Sequence, residues 1–251
     1  MKIQLIRHAT VLLEINGKTI LIDPMFSHKG TLSPIKDVIN QNNNPLVDLP
    51  LPIENLLDCD SVLLTHTHRD HFDEAAIKVI PKEMPIFCQP KDEAKLKDLG
   101  FLNVTPVNRN ILWENINIAR TPAKHGHGVT ALSMAPVSGY VISTPGEPTV
   151  YVTGDSIFYS GTKKILEKYS PDIALCNCGE AAFASEKPIT MGTPDLSEIC
   201  RLAPRIKIVA IHMEAWNHCG LSRAALKKYV FENKFEARIF VPDNGEIISN
   251  I

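Results

Sequence analysis

Two short aliphatic runs open the pattern, Val11-Leu12-Leu13-Glu14-Ile15 and Lys18-Thr19-Ile20-Leu21-Ile22-Asp23, separated by Asn16-Gly17. Asn-Gly between such runs predicts a β-hairpin, because a type I′ turn holds both central residues at positive φ. From residue 25 to about 60 the alternation dissolves into Pro, Asn and Ser, with Asn42-Asn43-Asn44-Pro45 and Pro50-Leu51-Pro52. A loop this long inside a compact domain is usually functional, and this one is expected to form a substrate-facing flap. Apolar runs and amphipathic stretches alternate thereafter. Asp73 is placed to cap a short helix through Val79, 85–88 reads as a strand, and 91–99 reads as an exposed charged helix closed by Gly100. Short strands are expected around Val104 and over 116–119, 140–143 and 150–153. The second half repeats strand then helix: strand 173–175, a helix from Asp195 with Thr193-Pro194 as cap and first turn, strand 206–211, helix 222–232 and strand 238–241. Many early strands with interspersed helices predict an α/β (α+β) fold, two packed sheets with helices outside. No repeat or low-complexity tail divides the chain, so 1–251 is expected to be a single domain.

Composition narrows the class. A chain of 251 residues can bury roughly 70–75% of its unfolded surface. Its 44% hydrophobic and 22% charged residues are those of an ordinary globular protein. A formal net charge of −2 with no long basic run makes nucleic acid an unexpected partner. The first residues are too short and interrupted for a signal peptide, and no stretch approaches the ~20 apolar residues of a membrane span. A cytoplasmic protein is therefore expected, with a small molecule as substrate; a homo-oligomer is compatible with the sequence. The six Cys, at 59, 88, 176, 178, 200 and 219, have no framework spacing and read as reduced thiols. Cys176 and Cys178 follow a buried strand pattern and are expected to be inert.

The densest chemistry lies in His66-Thr67-His68-Arg69-Asp70-His71, directly after the apolar run Val62-Leu63-Leu64. Along an extended backbone, side chains at i and i+2 share a face, so His66 and His68 project together. Once the chain turns, Asp70 and His71 aim at a second point beside the first. Neutral imidazole and carboxylate together suit divalent ions, and this spacing suits two ions better than one. Three further places offer donors at strand ends. In Thr121 to Gly128, His125 comes first after the strand and is preferred, with His127 as its alternative. Tyr151-Val152-Thr153-Gly154-Asp155 presents a carboxylate placed to bridge two cations. His212 follows the apolar 208–211, with His218 as an alternative ligand or a group that meets substrate. His8 and Asp23 are candidates for orienting the ligands, and Trp216 either lines the pocket or packs in the core.

This set resembles the metallo-β-lactamase superfamily over nearly the whole chain. The H-x-H-x-D-H motif stands at His66 to His71, and Arg7 to Glu14 with Leu21-Ile22-Asp23-Pro24 is similar to the family's first hairpin. Within it the chain looks like the compact single-domain hydrolases, a branch that includes ascorbate-6-phosphate lactonase-like enzymes. The resemblance implies a four-layer αββα sandwich of two mixed sheets. It assigns His66, His68 and His125 to one metal, Asp70, His71 and His212 to the other, and Asp155 to the bridge. The cofactors it implies are two divalent ions, zinc foremost, with manganese or iron as alternatives. One departure is Cys176-Asn177-Cys178-Gly179-Glu180, a stretch that is more apolar in many relatives.

Two divalent ions sharing one solvent molecule lower its pKa from 15.7 to about 7. The expected reaction is therefore attack by a bridging hydroxide on an ester, lactone or phosphoester of a small substrate, with Asp70 holding the nucleophile's proton. Two dications, two carboxylates and one hydroxide sum to +1, which favours an anionic substrate. A nuclease or phosphodiesterase of the same superfamily would use the same ligands. A di-iron redox protein or a non-catalytic binding protein are the readings from other classes.

Overall fold

The computed structural model describes residues 1–184 and 186–248. Asn16 and Gly17 both sit at positive φ, +52° and +68°, and pair Ile15 with Lys18 across the turn. The expected hairpin is thus β2 with β3, where β1 spans Lys2–Arg7, β2 Thr10–Ile15 and β3 Lys18–Ile22. The chain continues through α1 (Ile53–Leu57), β4 (Ser61–Leu63), α2 (Glu74–Val79), β5 (Ile86–Cys88), α3 (Glu93–Asp98) and β6 (Val104–Pro106). The second half runs β7 (Asn110–Trp113), β8 (Ile116–Pro122), α4 (Gly128–Ser133), β9 (Ser138–Ser143), β10 (Val150–Val152), α5 (Ser160–Tyr169), β11 (Ile173–Asn177), α6 (Thr193–Leu202), β12 (Lys207–Ile211), α7 (Arg223–Glu232) and β13 (Ile239–Phe240). A last strand, β14 (Ile247–Ile248), returns to pair with β1.

Two seven-stranded sheets result, ordered β14-β1-β2-β3-β4-β5-β6 and β13-β12-β11-β10-β9-β8-β7. Both are mixed: β1, β2 and β3 run antiparallel while β3 to β6 run parallel, and the second sheet repeats this from β7 to β13. Alternation along each strand explains the layering. On β12, Val209 and Ile211 face the other sheet with Leu5, Leu13, Ile22 and Leu63. Ile208 and Ala210 face outward onto Leu196 and Ile199 of α6 and Leu226 of α7. On the other side Leu56 of α1, Ala76 of α2 and Leu96 of α3 cover Leu21, Val62 and Ile86. The sandwich is αββα, as expected. Among the described residues no helix is long and apolar enough to cross a membrane.

Local chemistry sets the helix starts. The Asp73 carboxylate accepts from Ala76 N at 2.9 Å and the Ser222 hydroxyl from Ala225 N at 3.1 Å, each an N-cap. The helix placed from Asp195 instead begins at Thr193, with Gly192 as its cap. Pro194 needs no N–H there, so it fits inside the first turn rather than before it.

The 25–60 segment is not a free flap. Arg69 donates to Ser33 O at 2.8 Å, and Phe26 N and Ser27 N donate to Asp73 at 3.1 and 2.7 Å. Asn217 acts as a buckle: its Oδ1 accepts from Asn44 Nδ2 at 2.8 Å and Ile35 N at 3.0 Å, and its Nδ2 donates to Ile35 O at 3.0 Å. Both carboxamide ends are used, so the loop is tied to the segment that follows β12.

Gly154, between β10 and Asp155, has φ +58°, and a Cβ there would lie 2.4 Å from Ser138 O. Left-handed backbone alone costs a non-glycine residue about 1–2 kcal/mol, and the clash adds to it. Gly154→Ala should therefore lower the denaturant midpoint clearly. A midpoint equal to wild type would show that the Ser138 strand yields freely.

Candidate metal centre

The strand ends converge at one end of the sandwich. After β4 the chain leaves the strand, bending at Thr65 before His66. It then folds back, with His71 N and Phe72 N both donating to His68 O at 3.0 and 2.9 Å. This turn gives the motif its two directions. Donor atoms of His66, His68 and His125 lie within 4.8 Å of one another, and those of Asp70, His71, His212 and His8 form a second such cluster. Asp155 forms a third group with His66 and His71, so the structure brings all seven of the expected donors together. His127 is exposed and precedes α4, outside the clusters. His218 also lies outside, its ring 6.3 Å from that of His212. Trp216 is fully buried beneath the Arg69 guanidinium, 5.1 Å away, and packs rather than lining an open pocket.

Asp155 links the two clusters. Its Oδ1 lies 3.3 Å from Nε2 of both His71 and His212. Its Oδ2 lies 3.2 Å from His125 Nε2 and 4.0 Å from His66 Nε2. Asn177, at the end of β11, donates to Asp155 Oδ1 at 2.7 Å and fixes the carboxylate plane. Asn177 is not among the donors expected from sequence; its only signal there is its place in the unusual Cys176-Asn177-Cys178 stretch. The flanking thiols are buried, and burial pushes both above the ordinary thiol range, which makes them inert. All six cysteines are free.

The outward ring nitrogens are also held. His71 Nδ1 donates to Asp23 Oδ2 at 2.8 Å, and the same carboxylate accepts from Thr65 N at 2.8 Å and Thr65 Oγ1 at 2.6 Å. Thr65 Oγ1 lies 3.0 Å from His66 Nδ1. His125 Nδ1 donates to Ile189 O at 2.9 Å. Such contacts fix ring orientation and point Nε2 at the centre. Backbone strain concentrates here as well: His8, Asp23 and His212 all have positive φ, +60°, +44° and +65°.

The donor set fits cations. Nε2 of His66, His71 and His212 is buried without a well-formed hydrogen bond, an arrangement that costs free energy unless a proton or a metal cation is held there. Burial, followed by the neighbouring rings of His71 and His68, pushes the His66 imidazole well below its ordinary pKa. Burial also lowers His68. For His71 burial acts downward, but Asp155, Asp23 and Asp70 outweigh it and hold the ring protonated. His212 is likewise raised, to about 10, because Asp155 and its other neighbours overcome burial. Asp70 and Asp155 are held well below the carboxylate range, the histidine charges outweighing burial. Without metal, two imidazolium rings thus neutralise two carboxylates; divalent ions would displace those protons and take over the same role.

Known proteins are similar to this chain in sequence and fold. The beta-lactamase superfamily domain model matches residues 18–213. The UPF0173 protein YddR of Bacillus subtilis is 39% identical, covering 98% of both chains. A UPF0173 metal-dependent hydrolase of Pyrobaculum aerophilum is 27% identical over 99% of both. The crystal structure of an isothiocyanate hydrolase from Delia radicum gut bacteria is similar with TM-score 0.96 and 35% identity, covering 100% of this chain and 99% of the other.

Proposed function

We propose a hydrolytic function from two facts: this chain belongs to the beta-lactamase superfamily, and its buried histidines and aspartates converge on one end of the sandwich. The reading is a metal-dependent hydrolase of small substrates, with His66, His68 and His125 holding one divalent ion, Asp70, His71 and His212 a second, and Asp155 shared. The observation that carries it is the Asp155 carboxylate, which turns one oxygen toward each cluster. Zinc, manganese or iron held there would supply a solvent nucleophile of lowered pKa and a Lewis-acid seat for the substrate's electrophile. Asp70 Oδ2, 3.5 Å from His212 Nε2, orients that nucleophile and holds its proton. Asn177 and Asp23 keep Asp155 and His71 in place. The excess positive charge of the loaded site draws anionic or oxygen-rich substrates such as lactones, esters and phosphoesters.

A second electrophile is supported by the 35% identity to an isothiocyanate hydrolase. The carbon of an R–N=C=S group would accept the attacking oxygen. Breaking the C–N bond, with two protons moving to nitrogen, releases an amine and carbonyl sulfide. A panel of lactones, carboxylic esters, phosphodiesters, phosphomonoesters and isothiocyanates separates the two. Turnover of one class is expected, and Asp70→Ala should lower its kcat by about 10²–10⁴-fold. Full activity in metal-loaded Asp70→Ala would remove Asp70 from the chemistry.

A further inference from the structure

His8 occupies the tight turn between β1 and β2 and is fully buried. Its backbone is held at φ +60°, and its carbonyl accepts from His212 N at 2.8 Å. The ring lies against that of His212, centroids 3.7 Å apart, so the two residues are fixed together. Nε2 points at the Asp70 side, 3.4 Å from Oδ2. That separation is long for an N–H···O bond, and Nδ1 on the far side is buried with no partner at all. A ring retained only to hydrogen-bond Asp70 would leave one nitrogen orphaned and the other poorly used. Strained backbone persists where the surroundings over-determine it, and here those surroundings are donor groups of the second cluster. A ring nitrogen of His8 lies within 4.8 Å of the donor atoms of Asp70, His71 and His212, as those atoms do of one another.

We propose that His8 is a fourth protein donor of the Asp70–His71–His212 cluster, giving that cluster a complete side-chain set for a divalent cation. The inference rests on the metal-dependent reading above and deepens it. It makes the two clusters unequal. The His66–His68–His125 cluster has three donors and needs Asp155 as its fourth, whereas the His8 cluster has four without Asp155. The His8 cluster is therefore the tighter site, and the other is the one whose coordination opens to substrate.

The test titrates metal-free wild type, His8→Ala, His8→Gln and His68→Ala with cobalt(II), following bound equivalents and visible absorption. Folding of each variant is checked by circular dichroism. Gln keeps an N–H for Asp70 but is a poor ligand for such ions. Both His8 variants should bind the tighter equivalent at least about tenfold more weakly, as loss of metal-site support does, and His8→Gln should change its absorption. His68→Ala should retain that equivalent. Wild-type affinity and spectrum in His8→Gln would overturn the donor role and leave His8 as a positioning residue for Asp70. Wild type that takes up fewer than two equivalents would instead count against the dinuclear reading, and a wild type that takes up none would overturn both.

Discussion

Asp155→Ala should leave at most one bound metal equivalent and abolish turnover. The substitution removes the single carboxylate that faces both clusters, at 3.2 Å from His125 and 3.3 Å from His71 and His212. The His66–His68–His125 cluster then has no negative donor, while the second keeps Asp70. In the metal-free protein the same change strips two protonated rings of their main counter-charge. Leaving buried charge uncompensated costs about 3–5 kcal/mol, a large share of the ~5–15 kcal/mol that holds a domain folded. Elemental analysis after dialysis and urea unfolding of the metal-free protein check the two halves separately. Two retained equivalents with a wild-type midpoint would mean that Asp155 is a bystander.

The second large effect is expected at Asp23, which reaches the centre only through other residues. Its carboxylate collects Thr65 N, Thr65 Oγ1 and His71 Nδ1. Asp23→Ala orphans Thr65 N and takes the close partner from His71 Nδ1 in a site where Thr65 is fully buried, and each unsatisfied buried group costs about 1–3 kcal/mol. Losing the partner that orients a ligating imidazole typically weakens metal binding about 10–100-fold. Thermal unfolding and metal titration should therefore both shift. Asp23→Asn, which still accepts from Thr65, should recover most of the stability but little of the affinity. Equal metal affinity in wild type and both variants would separate Asp23 from the centre.

How far these features were legible depended on how local their cause is. The His66 to His71 motif, His125, Asp155 and His212 each follow a strand directly, so the apolar run announces where the donor will stand. The Asn16-Gly17 turn and the Asp73 and Ser222 caps are similarly local. Elements stabilised by distant partners were not visible. β14 has two residues and exists by pairing Ile248 with Ile3. β1 alternates Ile3 and Leu5 toward the core, but its Lys2, Gln4 and Arg7 interrupt the apolar signal. α5 begins Ser160-Gly161, which reads as a turn, and α4 has no buried residue to give it an apolar stripe. The 25–60 segment looks free in sequence because its anchor, Asn217, lies 173 positions from Asn44. From sequence, His8 reads as an orienting residue. Only the folded β1–β2 turn shows its ring among the donors of the second cluster.

The most direct test is the metal content of the wild-type chain itself. Metal-free protein reloaded with zinc, manganese or iron(II), freed of excess metal and weighed intact under native conditions, should carry two ions per chain. A chain that takes up one ion or none under every loading would contradict the shared role of Asp155 and with it the dinuclear centre.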